Sequence, residues 1–317
     1  MIINTGQRTD IPAFYSKWLI NRIKEGFVLV RNPYYPNLVT KFRLDPKVVD
    51  VIGFCTKNPR PMLKYLDYLK PFGQFWYITI TGFGNDIEPN VPPIDDVIED
   101  FKYLSNKIGK KAIGFRYTPI IINEKYTLDY HIKTFEKIAS SLDGYTNLCV
   151  FGFLDLYDKL AIFHKELSDC SDNEKIIIAK EFKKIADRHN MKLRLCSKEK
   201  WLAEYGIDVN GCMRQEDYEN AIGKRLIIKS NMQSRKNYCS CLIANDIGFY
   251  NSCMHLCKYC YANGDKNKVV KNYKMHNDNS PFLIGELNEN DEIKEAKQES
   301  WINNNPTLFD ELEPHTR

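Results

Sequence analysis

Short apolar, β-branched runs alternate with longer amphipathic runs through the first 195 residues, and this rhythm constrains the fold more than any other feature. Ile2–Thr5, Phe27–Val30, Val49–Cys55, Phe75–Thr81, Ala112–Tyr117, Leu148–Leu154 and Lys192–Leu195 read as strands. Ile11–Glu25, Pro61–Leu69, Ile94–Ile108, Leu128–Leu142 and one or two segments within Tyr157–His189 read as helices. Asp10 is placed to cap the first helix, with Pro12 in its opening turn and Gly26 just past its end. Such alternation predicts a parallel sheet covered by helices. Seven strands in so short a stretch suit a TIM-like (β/α) barrel better than an open sheet. The expected organisation is a barrel over residues 1–263, including a cysteine-rich segment at 196–260, followed by an irregular tail over 264–317. That tail is rich in Asn, Lys, Asp and Glu, with one apolar patch, Pro281–Ile284, that suits folding back over the barrel.

Polar residues collect where the strands end, which is where barrels of this type build their sites. Arg8, Asp10, Arg31, Lys57 and Arg116 form the candidate catalytic set, with Asn32, Asn58, Thr81, Asp155 and Cys196 at equivalent positions. Asp10 and Asn32 suit a helix cap or a turn equally well. Four cations at strand ends imply anionic ligands or carboxylate partners. Arg116 is the sharpest of them, because a guanidinium inside an apolar strand must be paired. Gly82 and Gly84 follow a strand and offer close backbone approach to a cofactor. They are not a dinucleotide fingerprint, since the third glycine and the immediate helix are missing.

The N-terminus lacks the basic and apolar regions of a signal peptide, and no run is long and apolar enough to span a membrane. A cytoplasmic protein is expected, and no membrane partner. In a reducing compartment its ten cysteines should be thiols or metal ligands. The net charge of +4 neither demands nor excludes nucleic acid. Cys55, Cys149 and Cys170 are scattered, whereas Cys196, Cys212, Cys239, Cys241, Cys253, Cys257 and Cys260 crowd together. Such crowding points to chemistry.

Cys253-Met-His-Leu-Cys257-Lys-Tyr259-Cys260 has C-x3-C-x2-C spacing. Three thiolates so close can hold three irons of a [4Fe–4S] cluster, leaving the fourth iron open to chelate S-adenosylmethionine. Reductive cleavage of the sulfonium would then give a carbon radical. The motif, with Tyr259 before its last cysteine, resembles that of the radical S-adenosylmethionine superfamily. Its position differs, since the superfamily carries the motif after the first barrel strand. A closed barrel reconciles the two, because the last strand neighbours the first and Asp246–Tyr250 can form or precede the closing strand.

Arg8-Thr-Asp-Ile-Pro-Ala-Phe-Tyr15, Arg31-Asn-Pro33, Thr56-Lys-Asn-Pro59, Arg116-Tyr-Thr-Pro119 and the run from Asp246-Ile-Gly to Cys260-Tyr-Ala262 extend a resemblance over nearly the whole chain. They resemble a bacterial family, the domain of unknown function numbered 1848, described as radical-S-adenosylmethionine-like. The resemblance implies a cofactor and leaves the substrate, small or macromolecular, unnamed. Arg116-Tyr-Thr-Pro departs from the Arg-Tyr-Asp-Pro associated with the family, so an acidic group is missing there. An enzyme of this kind would take its electron from a donor such as ferredoxin or flavodoxin.

The alternative from another class is a zinc-stabilised, non-catalytic binding module, such as one for nucleic acid, with Cys239, Cys241, Cys257 and Cys260 as a tetrahedral set. His255 is a further candidate ligand. The cysteines outside the motif, Cys196, Cys212, Cys239 and Cys241, suit a second iron–sulfur cluster or zinc ion, a redox pair, a hydrogen-atom donor, or unligated thiols.

Overall fold

A computed structural model describes residues 1–155, 167, 169–228, 241–242 and 245–304. Its strands are β1 (Ile2–Asn4), β2 (Phe27–Arg31), β3 (Leu38–Arg43), β4 (Val51–Thr56), β5 (Gly73–Thr79), β6 (Ile113–Ile120), β7 (Leu148–Phe153), β8 (Lys192–Leu195), β9 (Asn245–Asp246) and β10 (Glu292–Glu295). Seven of them form one parallel sheet in the order β8-β7-β6-β5-β4-β1-β9. The fold is therefore α/β with a central parallel sheet.

The helices are α1 (Ile11–Phe14), α2 (Ser16–Glu25), α3 (Arg60–Leu63), α4 (Leu66–Leu69), α5 (Ile94–Ile108), α6 (Leu128–Ser141), α7 (Asp172–Arg188), α8 (Gln215–Ile222) and α9 (Lys266–Lys274). The helices α5, α6 and α7 each carry an apolar stripe that packs on the core of the sheet. Phe115, Tyr117 and Phe151 meet Phe135 of α6 and Phe182 of α7, whose rings stack at 3.9 Å. Burying each such aromatic contributes roughly 2–3 kcal/mol. The other face of the sheet receives α8, where Tyr218 lies edge-on to Phe75 at 5.6 Å.

The structure departs from the sequence reading in several places. The strand expected at Phe27–Val30 forms, but it leaves the main sheet and pairs antiparallel with β3, which sequence reasoning missed. The two make a hairpin because Pro33 and Pro36 break the ladder and the Asn32 side chain accepts the Tyr34 and Tyr35 amides. The helix expected over Ile11–Glu25 is interrupted at Tyr15, which leaves helical geometry. Pro61–Leu69 likewise divides into α3 and α4. The tail is more ordered than expected. Asp265 caps α9, and β10 pairs parallel with β3. No helix among the described residues is long and apolar enough to cross a membrane.

Candidate functional site

Strand register gathers the polar residues. Asn4 pairs with Gly53, Cys55 with Tyr77, Thr79 with Arg116, and Arg116 and Arg194 both pair with Val150. Side chains alternate along a strand and partners share a face. One face therefore carries Asn4, Cys55, Tyr77, Thr79, Arg116 and Arg194, the face that α8 covers.

Beyond β9 the chain turns back on itself. Asn251 and Leu256 adopt left-handed conformations, and Asn251 N–H donates to Ala262 O at 2.9 Å. This loop presents Cys253, Cys257 and Cys260. It is pinned from outside as well. Asn90 Nδ2 donates to Met254 O at 2.7 Å, Lys258 N to Ile87 O at 3.0 Å, and Tyr15 Oη to Ser252 O at 2.6 Å. Cys253 is buried, while Cys257 and Cys260 keep some accessible surface. Burial pushes all three thiols up, and Cys253 also feels Cys260 and Cys257.

Lys57 stands beside this loop. Its Nζ lies 2.8 Å from Glu88 Oε1 and 5.8 Å from the centroid of the Tyr259 ring. Glu88 also accepts from Thr81 Oγ1 at 2.8 Å and from the Tyr259 hydroxyl. Burial pulls the Lys57 ammonium down, but Glu88 and Cys257 more than offset it, so its pKa is raised. Asp10 is saturated as a pin. Oδ1 caps Ala13 N at 3.0 Å, and Oδ2 accepts Lys57 N at 2.8 Å and His255 Nε2 at 2.9 Å. His255 reaches Asn90 O with its other nitrogen at 3.1 Å, so both ring nitrogens serve the scaffold.

A second thiol group lies on the same face. Cys212 Sγ is 3.2 Å from Cys196 Sγ and 3.4 Å from Cys241 Sγ. Arg116 donates to Cys196 Sγ at 3.2 Å and to Cys212 Sγ at 3.4 Å, with its guanidinium 5.4 Å from the Tyr77 ring centroid. Arg116 is half-buried. Desolvation pulls its pKa down, but Cys196, Cys212 and Cys55 hold it well above the ordinary value. Cys55 feels both Arg116 and Lys57, so it stands between the two groups.

The expected residues are thus divided. Lys57, Arg116, Asp10 and Tyr259 surround the thiols. Arg8 pairs with Asp246 at 2.8 Å and fastens β9 to the loop after β1. Arg31 is elsewhere. It lies in the second sheet, bound to Asp291 and, at 2.9 Å, to Glu286 O of the tail. The Gly82–Gly84 backbone is occupied by the chain itself, since the Tyr130 hydroxyl donates to Gly82 O and Gly84 N donates to Tyr126 Oη at 2.9 Å. Cys239 lies outside the described residues. Sequence reasoning missed Glu88 and Tyr77. Glu88 was within reach, as a carboxylate in the loop after a strand.

Among the described residues no three His, Cys, Asp or Glu side chains are set as a ligand shell around one ion. The Cys196–Cys212–Cys241 sulfurs form a chain through Cys212. A cavity of about 720 Å³ opens beside Val49, Asp50 and Gly73, at the opposite strand ends from the thiols.

The sequence model of a family described as a domain of unknown function, DUF1848, matches residues 2–262. No curated protein matches the chain. Among solved structures, the clostridial cellulose synthase subunit Z (CcsZ) from Clostridioides difficile is similar at 12% identity and a TM-score of 0.27, over 70% of this chain and 98% of that one. Similarity at that level carries no argument about fold or function.

Proposed function

The chain belongs to the DUF1848 family, and from that premise we propose that it is a radical S-adenosylmethionine-type iron–sulfur enzyme whose cluster is held by Cys253, Cys257 and Cys260. One observation carries the reading: three thiols share a single pinned loop beyond the strand ends, and Cys241 is engaged with Cys212 instead of joining them. The donor set fits, because among the described residues this loop offers three thiols and no fourth, as a site-differentiated cubane needs. When bound, such a cluster supplies an iron with an open position, where S-adenosylmethionine is reductively cleaved to a carbon radical.

The chain's own groups have separate tasks. Lys57 lowers the cost of negative charge on Cys257 and Cys260. It is also the cation best set to meet an incoming carboxylate, since an ammonium has three donors and Glu88 engages one face of it. Tyr259 and Glu88 clamp the loop onto the segment after β5. Asp10 and His255 clamp its other side to α1. Arg116 is turned toward sulfur and not toward solvent, which favours a site within the strand ends over an external nucleic-acid face.

The proposal includes closure of the sheet into a barrel. The main-sheet strands run in one direction of sequence from β1 to β8, with β9 on the far side of β1, which is a barrel order opened between β8 and β9. Cys196 directly follows β8 and Cys241 precedes β9, and both touch Cys212 across that opening.

Anaerobic reconstitution with iron and sulfide tests the function. We expect about four irons per chain at this site, and release of 5′-deoxyadenosine and methionine from S-adenosylmethionine under a strong reductant or reduced flavodoxin. Cys257→Ala should abolish both. Reconstituted protein with no iron–sulfur absorption, or a Cys257→Ala variant that keeps it, would defeat the reading.

A further inference from the structure

The second thiol group is built from three separate stretches of chain: Cys196 after β8, Cys212 in the loop before α8, and Cys241 ahead of β9. It is held from several sides. Gly152 has no Cβ, and one there would stand 2.6 Å from Cys196 O, so only glycine lets the Cys196 backbone come this close to β7. The Tyr77 hydroxyl donates to Cys212 O, and Cys212 N donates to Cys241 Sγ at 3.2 Å. Leu242 N donates to Met213 O at 2.8 Å, which ties the two loops beside their cysteines. A further observation points to an occupant. Tyr218 is fully buried, its hydroxyl has no hydrogen-bond partner among the described residues, and it lies within electrostatic reach of Asp217, Cys212, Cys241 and Cys55. A buried polar atom without a partner costs about 1–3 kcal/mol, so its persistence in a built site requires an explanation.

Charge narrows the choice. Arg116 is half-buried, and among the described residues its side-chain hydrogen bonds go to two sulfurs and to no carboxylate. A cation drawn out of water needs an anionic neighbour. Three protonated thiols would give it none, and three thiolates alone would leave the site with a surplus of negative charge even after Arg116 is counted. Three thiolates around a divalent cation leave a single negative charge, which Arg116 cancels. Sulfur spacing narrows it again. A tetrahedral zinc ion with bonds of about 2.3 Å sets its sulfurs about 3.8 Å apart, and the recorded separations are 3.2 and 3.4 Å. Among the described residues no three donors converge on one point in the metal-free chain, so binding would draw Cys196 and Cys241 around one ion by side-chain rotation. A cubane would need far more room.

We propose that Cys196, Cys212 and Cys241 supply three of the four ligands, the fourth being neutral, of one thiophilic divalent cation of the zinc class, charge-balanced by Arg116, in a site that fastens the end of β8 to the chain entering β9. The site is independent of the cluster reading. Its role is structural, since zinc has no redox chemistry. Thiolate–metal bonds would join segments that lack a continuous ladder between them.

The test uses the full chain, reduced and stripped of metal, then titrated with zinc against a competing chelator and separately with cobalt. We expect about one zinc per chain, a higher unfolding midpoint with zinc, and a thiolate-to-cobalt charge-transfer band with intense tetrahedral transitions. A Cys253→Ser/Cys257→Ser/Cys260→Ser variant should retain all three signals even where it loses iron. Cys212→Ser should lose them, with zinc affinity lowered by more than about 100-fold, and Arg116→Gln should lower it about 10–100-fold, as an outer-shell change does. Wild-type protein that binds neither metal overturns the proposal without reference to any variant. So does a zinc signal that follows Cys253, Cys257 and Cys260, or an iron–sulfur chromophore that survives the triple substitution and disappears in Cys212→Ser.

Discussion

The two thiol groups share one face of the sheet but are assembled in opposite ways. Cys253, Cys257 and Cys260 lie within one short stretch of chain, and hydrogen bonds inside and beside that loop position them. Cys196, Cys212 and Cys241 are far apart in sequence and meet only where the end of β8 faces the chain returning to β9. Their cations differ too. Lys57 is shared between sulfur and the Glu88 carboxylate. Arg116 has sulfur on two sides and a tyrosine ring beside it. The contrast teaches that a loop-built group should tolerate loosening of the sheet, whereas a fold-built group should report it.

The largest expected effect strikes the loop-built group. Lys57→Met leaves the Glu88 carboxylate enclosed with no cation, and urea unfolding should show a loss of about 3–5 kcal/mol. The Lys57→Met/Glu88→Leu double variant should recover most of it, since the pair is then replaced by apolar groups. A single variant within about 1 kcal/mol of wild type would mean that the loop does not lean on this ion pair.

Arg116→Met sharpens the comparison through its dependence on metal. With zinc bound, the substitution leaves uncompensated negative charge and should cost about 3 kcal/mol, the low end for breaking an enclosed pair. In metal-stripped protein the thiols can stay protonated, and the cost should shrink. Equal costs in the two states would break the assignment of Arg116 as a counter-charge.

Acid provides a control remote from both groups. His131 on α6 is fully buried and neutral, accepting from Tyr117 Oη at 2.7 Å and donating to Ile121 O at 2.8 Å. Burial lowers its pKa to about 4 from the ordinary 6.5. The unfolded chain therefore binds this proton more readily. The stabilisation is intact above pH 6.5 and is lost as pH falls toward 4, by about 3 kcal/mol at most. Denaturation across that window should show the slope in wild type and a shallower one in His131→Gln. If the slope persists unchanged in His131→Gln, His131 is not its source.

The smallest effects form a matched pair. Tyr259→Phe removes a hydrogen bond to Glu88, and Tyr77→Phe removes one to Cys212 O. Each should cost about 1 kcal/mol. They should part in metal content, with iron retention reduced only by the first and zinc retention only by the second. A crossed result would show that the two groups are mechanically one.

Much of this was legible in the sequence because it is local. The strand at Lys192–Leu195 and the helix at Ile94–Ile108 lie where apolar periodicity placed them. The cap at Asp10 depends on a residue only three positions away. The C-x3-C-x2-C spacing needed no fold to be read. The hairpin of β2 and β3 was missed because an isolated apolar run does not say which sheet it joins, and Arg31 was misplaced with it. The order of the tail was missed because β10 is exposed throughout and is a strand only by pairing with β3.

By itself the sequence determined the alternating α/β plan, the parallel sense of the main sheet and a thiol motif suited to a cluster, since each follows from near-neighbour periodicity or spacing. Only the tertiary structure decided that Cys212 sits between Cys196 and Cys241, that Arg116 faces sulfur while Lys57 faces Glu88, and that Asp10 is a scaffold pin. Those pairings join residues tens to hundreds of positions apart. Nothing in a residue's own neighbourhood encodes its partner there, because strand register and loop closure choose it.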